Sequence, residues 1–162
     1  RIQLHRWKFG ESVLVLDRVP ARLGHDLRGE IECGVPATMA PGDRFDIRVR
    51  CLHRWQEEIR RGDDPARRTR FRRDTLWEDE RQTAGRRDTL RRTLRIPVRF
   101  RLPADRPAST VPGGHEGIVW EVRVTAQMRG LNYDARFEIP VVTAGFESPD
   151  SASRVRPPES SP

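Results

Sequence analysis

The stretch Gly117–Val142, GIVWEVRVTAQMRGLNYDARFEIPVV, decides the fold. Ile118, Trp120, Val122, Val124, Ala126 and Met128 fall at every second position, with Glu121, Arg123, Thr125 and Gln127 between them. A strand sends alternate side chains to opposite faces, so this spacing predicts a half-buried β-strand. Tyr133, Ala135, Phe137, Ile139 and Val141 repeat the pattern against Asp134, Arg136 and Glu138. Gly130-Leu131-Asn132 between the two runs supplies residues that tolerate positive φ, which predicts a hairpin.

The same period recurs upstream. Leu94, Ile96, Val98, Phe100 and Leu102 alternate with Arg95, Pro97, Arg99 and Arg101. Pro97 on the outward side marks an edge strand or a bulge, because proline donates no ladder hydrogen bond. Phe45, Ile47, Val49 and Cys51 form another set, and Leu27, Gly29, Ile31 and Cys33 a further one. The turn residues Pro36–Gly42 between those two sets predict that they pair as a hairpin. Val13–Leu16 reads as a short apolar strand, and Leu76-Trp77 as a more polar one. Trp55–Arg61 is a short helical candidate that can equally extend a strand. The arginine-rich 60–74 and the Pro/Gly-rich 103–117 read as loops. Several short strands bounded by turn signals predict an all-β chain, a single antiparallel immunoglobulin-like β-sandwich of about seven strands. The domain is expected over residues 9–146, after a lead at 1–8 and before a Ser/Pro-rich disordered tail at 147–162.

Charge is unevenly placed. Lys8 is the one lysine among 31 basic residues, and the chain carries +7 overall. Residues 60–73 hold seven Arg against two Asp, and residues 86–101 hold seven Arg against one Asp. Four acids and one Arg lie between them, so 60–101 carries a net +8 and the rest is near neutral. Arg67, Arg68, Arg70, Arg72 and Arg73 are the densest part and form the candidate basic surface. Such a zone suits the phosphates of nucleic acid or an anionic membrane, or is simply a solvated face. The interleaved Asp63, Asp64, Asp74, Glu78, Asp79 and Glu80 argue against a dedicated nucleic-acid groove. Trp55 and Trp77 flank the arginines, either as part of an aromatic-plus-basic surface or as seals at the ends of the sandwich.

No Walker A loop, dinucleotide fingerprint, nucleophile elbow or HExxH motif occurs in the chain. No catalytic residue and no cofactor is therefore expected. Cys51 and His53 share a strand face, and with Cys33 they are the weak candidate for a metal; His115 is a loop histidine that could serve as ligand or base. If 26–33 and 44–52 pair as a hairpin, Cys33 and Cys51 sit roughly 20 Å apart at about 3.3 Å per residue. That is too far for a disulfide, so two buried free thiols are expected, as in a reducing compartment.

The hairpin at 118–142, with Trp120, Tyr133, Phe137 and Ile139-Pro140-Val141, resembles the closing strands of arrestin-like β-sandwiches. LRGEIEC at 27–33, PGDRFDIRVRCLHR at 41–54 and IPVRFRLPADRPAS at 96–109 fit the same pattern. From about Phe9 to Val142 the chain is also similar to the soluble C-terminal region of a family of bacterial integral membrane proteins of unknown function; FGESVLVLDRVPARLG at 9–24 is its best match. The resemblance implies a non-enzymatic interaction or structural domain. It implies a transmembrane helix upstream, with Arg1, Arg6 and Lys8 beside it on the cytoplasmic face of the bacterial inner membrane. It brings no catalytic residues. The expected partner is a protein of unknown identity; the alternative is a polyanion-binding module working through 60–101.

Overall fold

A computed structural model describes residues 5–9, 12–34, 44–59, 62, 68–90, 92–110, 116–128 and 131–145. Among them the chain is all-β, and no helix is long and apolar enough to cross a membrane. In chain order the strands are β1 (His5–Phe9), β2 (Ser12–Leu16), β3 (Ala21–Arg22), β4 (Asp26–Gly34), β5 (Arg44–Ile59), β6 (Arg68–Ala84), β7 (Arg86–Asp88), β8 (Thr93–Arg101), β9 (Gly117–Met128), β10 (Leu131–Ile139) and β11 (Val141–Val142).

Two antiparallel sheets carry the structure. One has the order β1-β2-β4-β8-β7, the other β10-β9-β5-β6, and β11 adds a short parallel pair with β3. Each sheet is apolar on one side, and those sides share one core. Leu14, Leu16, Leu27, Ile31, Ile96, Val98 and Phe100 come from the first sheet, and Phe45, Ile47, Val49, Trp120, Val122, Val124 and Phe137 from the second. This is compatible with the expected sandwich. The β9–β10 hairpin forms as the alternation predicts, with Leu131 paired to Met128 and Ile139 to Trp120.

Two expectations change. The runs at 27–33 and 45–51 do not pair: β4 lies between β2 and β8, and β5 lies between β9 and β6. Both runs have one apolar face, so periodicity is satisfied equally by a hairpin and by strands in separate sheets. The residues 68–74 expected in a loop belong to β6. Its side chains there are exposed on both faces, so no apolar alternation announces it. Of the two readings of 55–61, strand extension is the one observed, since β5 continues as far as Ile59. The first strand begins at His5. The Ser/Pro-rich tail and the Pro36–Gly42 turn lie outside the described residues.

Pro97 takes the position its chemistry requires. β7 pairs only with Thr93–Arg95, so the proline sits where β8 has no partner on that side among the described residues. Two glycines are set by close approach. A Cβ on Gly29 would fall on the carbonyl oxygen of Val15 in the neighbouring strand. Gly85 turns the chain from β6 in one sheet to β7 in the other, and a Cβ there would press into Phe45 at 2.9 Å and Leu94 at 3.0 Å.

Trp120 ties the core to its covering loop. It is fully buried, its indole N–H donates to the Pro107 carbonyl at 3.0 Å, and its ring lies 5.7 Å from that of Trp77. Removing so large a buried side chain leaves a cavity as well as losing its transfer energy. Trp120→Ala is expected to reduce stability by about 3–5 kcal/mol in urea unfolding; a loss below about 1 kcal/mol would mean the loop and core are not coupled through this residue.

Candidate functional site

β5 and β6 run together for nearly their whole length, from Arg44 opposite Ala84 to Ile59 opposite Arg68. β9 accompanies β5 only from Asp46 to Arg54. Beyond that point Trp55–Ile59 and Arg68–Arg72 continue as a two-stranded ribbon, about 16 Å long at roughly 3.3 Å per residue. No third strand pairs with it among the described residues. The outer edge of β6 is likewise unpaired by any strand, because β6 ends its sheet.

The candidate arginines therefore lie on a strand rather than in a loop. Arg68, Arg70, Arg72 and Arg73 are all exposed on β6; Arg67 lies outside the described residues. Directly opposed residues of an antiparallel pair share a face. Arg72 opposes Trp55, Arg70 opposes Glu57 and Arg68 opposes Ile59, whereas Arg73 opposes Arg54. Strand alternation thus puts Arg68, Arg70 and Arg72 on one face and Arg73 on the other. Acids on β5 also offset it: the Arg72 Nε lies 2.6 Å from a Glu57 carboxylate oxygen.

A bulge interrupts the ribbon's root. Cys51 opposes Trp77 and Leu52 opposes Thr75, leaving Leu76 as the extra residue. The two tryptophans part company here. Trp77 packs against the core beside Trp120, which is the sealing role. Trp55 is half-buried on the ribbon and stacks on exposed His53, with ring centroids 5.1 Å apart.

The outer face of the four-stranded sheet is a lattice of ion pairs. Arg48 meets Glu80 at 2.8 Å, Arg54 meets Glu138 at 3.0 Å, and Arg123 grips Asp134 through two hydrogen bonds of 3.0 and 2.7 Å. The Arg123 guanidinium holds the Asp134 carboxyl below its usual range. Exposed pairs like these contribute about 0–1 kcal/mol each. Arg50–Glu121 differs, at 2.7 Å with each side chain only 10% exposed. Nothing in the sequence distinguishes it from its neighbours, because burial on an outward face depends on what surrounds it. Glu121→Gln is expected to cost about 3 kcal/mol by leaving a buried charge, whereas the double change Arg50→Met/Glu121→Leu should stay close to wild type in chemical denaturation. Equal losses in both variants would refute this.

The weak metal candidates are dispersed. Cys33 is in β4 and Cys51 in β5, in different sheets, and His53 is engaged with Trp55. His115 lies outside the described residues. No group of three or more His, Cys, Asp or Glu comes together among the described residues. Both cysteines are free and buried, although they belong to different sheets and not to one hairpin. Burial pushes the Cys51 thiol up to about 11 and raises Cys33 as well. Burial also raises the Tyr133 hydroxyl well above its usual value; that hydroxyl hydrogen-bonds with the Ser12 hydroxyl.

A raised thiol has a defined consequence for stability. The unfolded thiol titrates near 8.5, so the Cys51 contribution is whole below about pH 8.5 and is lost as pH rises through about 11. Wild type is expected to lose thermal stability over that window more steeply than Cys51→Ala. Parallel curves for the two proteins would contradict the assignment.

Comparison with protein-family models and with curated proteins returns no match to this chain.

Proposed function

We propose that this chain is a non-enzymatic interaction module that docks a partner protein along β6 and the ribbon it forms with β5. One observation carries the reading. β6 is a 17-residue strand whose outer edge has no strand partner among the described residues, and it runs beyond the last residue of β9 that covers β5. An open strand edge presents unpaired N–H and C=O groups, which are a template for another chain. Partner recognition by strand addition uses those groups for affinity and the alternating side chains for specificity.

The finer parts of the reading rest on resemblance. An arrestin-like sandwich suits a scaffolding role, and the likeness to a bacterial membrane-protein family makes this the cytoplasmic part of such a protein. Two free, buried thiols support a reducing compartment. On this reading the full coding sequence carries a hydrophobic helix upstream of residue 1.

A second reading, polyanion binding, is favoured by the exposed Arg68, Arg70, Arg72 and Arg73. It ranks below the first because acids on β5 lie among these arginines: Arg70 opposes Glu57, and Glu57 pairs with Arg72. Binding to DNA or anionic vesicles at low salt that vanishes on charge reversal of these arginines would put it first.

Position-dependent photo-crosslinking tests the first reading. A crosslinking residue at Leu76, on β6, is expected to give a discrete adduct in cells. The same residue at Arg99, on the exposed side of the other sheet, is expected to give none. Equal labelling from both positions, or labelling from Arg99 alone, would overturn it.

A further inference from the structure

Residues 68–80 of β6 divide into two blocks of opposite charge. Residues 68–73 hold Arg68, Arg70, Arg72 and Arg73 and no acid; residues 74–80 hold Asp74, Glu78, Asp79 and Glu80 and no base. A strand of this kind is complementary to itself when a second copy runs antiparallel to it. The two-fold axis then falls at Thr75–Leu76, where the bulge lies.

The bulge is what makes the side chains match. In a regular strand, residues five or seven apart point to opposite faces. Here Arg73 opposes Arg54 while Glu78 opposes Arg50, and those two β5 residues are four apart and share a face. Arg72 opposes Trp55 and Asp79 opposes Val49, which share the other face. The extra residue has shifted the phase. A two-fold at Thr75–Leu76 therefore sets Arg73 against Glu78 of the second copy on one face, and Arg72 against Asp79 of the second copy on the other. Each pair occurs twice. Leu76, 38% exposed, falls beside the axis, opposite Thr75 of the second copy. Arg70 would face Arg81 of the second copy and Asp74 its Trp77, so the matched charges are Arg72 with Asp79 and Arg73 with Glu78.

We infer that the partner docked on this edge is a second copy of the chain, paired antiparallel along β6 to join the two four-stranded sheets into one. The inference rests on the reading of β6 as the docking edge and names its occupant. Backbone hydrogen bonds along the edge hold the pair, and the charge blocks select its direction. Opposite charges directly across a strand pair stabilise, and like charges destabilise.

Charge exchange tests it by sedimentation velocity at low salt. Wild type is expected to show concentration-dependent dimer that dissociates in 1 M salt, where the screening length falls to about 3 Å. Arg72→Glu/Arg73→Glu and Glu78→Arg/Asp79→Arg, each alone, place like charges in all four contacts and should weaken the dimer at least ~10-fold. Mixed one to one, the two variants restore every contact, and a heterodimer is expected. Circular dichroism of each variant confirms that it is folded, and rescue in the mixture is an outcome that misfolding cannot produce. A wild type that stays monomeric at low salt, a dimer that survives both reversals, or a mixture that stays monomeric overturns self-pairing. A monomer whose Leu76 crosslinker still gives a discrete adduct with a different protein would leave the docking edge standing and remove only the second copy. A monomer with no adduct removes both.

Discussion

Each of the two large sheets in this chain has one apolar face, and those faces must be kept from water by each other. β5 is the centre of that constraint. It lies between β9 and β6, and it sends Phe45, Ile47, Val49 and Cys51 into the core without exposure above 1%. The other devices in the fold serve the closure. Gly85 lets β6 cross to β7 in the opposite sheet, against Phe45 and Leu94. Trp120 anchors the loop after β8 through the Pro107 carbonyl. Past Pro140 the chain changes partners: Val141 and Val142 leave β9 and pair with β3, and Ser109 hydrogen-bonds to Val141 in both directions.

Where the constraint ends, the structure changes character. Beyond Arg54 there is no β9 to accompany β5 and no apolar face to bury. The ribbon of Trp55–Ile59 and Arg68–Arg72 is held by its own ladder, by the Arg72–Glu57 pair and by the stack of His53 on Trp55. Such a ribbon adds little to the core, since an isolated pair of strands is only marginally stable in water. Its β6 strand carries the basic block, and the acids follow beyond the bulge. The bulge at Leu76 joins the two regimes by changing which face each arginine and each acid occupies.

The sequence reveals the strands that bury a face and conceals those that do not. β8, β9 and β10 are legible because every second residue is apolar. The first half of β6 is concealed because Arg68–Asp74 meets water on both sides, and composition there reads as a loop. The pairing of β4 is concealed for a related reason. Adjacency in sequence and a turn-rich connection favour a hairpin, but alternation reports only that a face is buried, not which sheet buries it. Free thiols followed from that hairpin, and both cysteines are indeed unpaired; the physical reason is different, because Cys33 and Cys51 belong to different sheets. The arginine cluster was visible as composition, but its division between two faces depended on a register that composition does not carry.

By itself, then, the sequence determined that this is an all-β chain, which residues form its core and where its basic residues are concentrated. Those properties are local: a period of two is set by backbone geometry, and charge is simply counted. The tertiary structure alone decided which strands share a sheet, that β6 is a long edge with no strand partner among the described residues, that Arg50 and Glu121 are buried on an outward face, and that a single extra residue at Leu76 aligns the charges on either side of it. Those properties belong to pairs of segments far apart in the chain. They follow from how two apolar faces close over each other, which no single stretch of residues specifies.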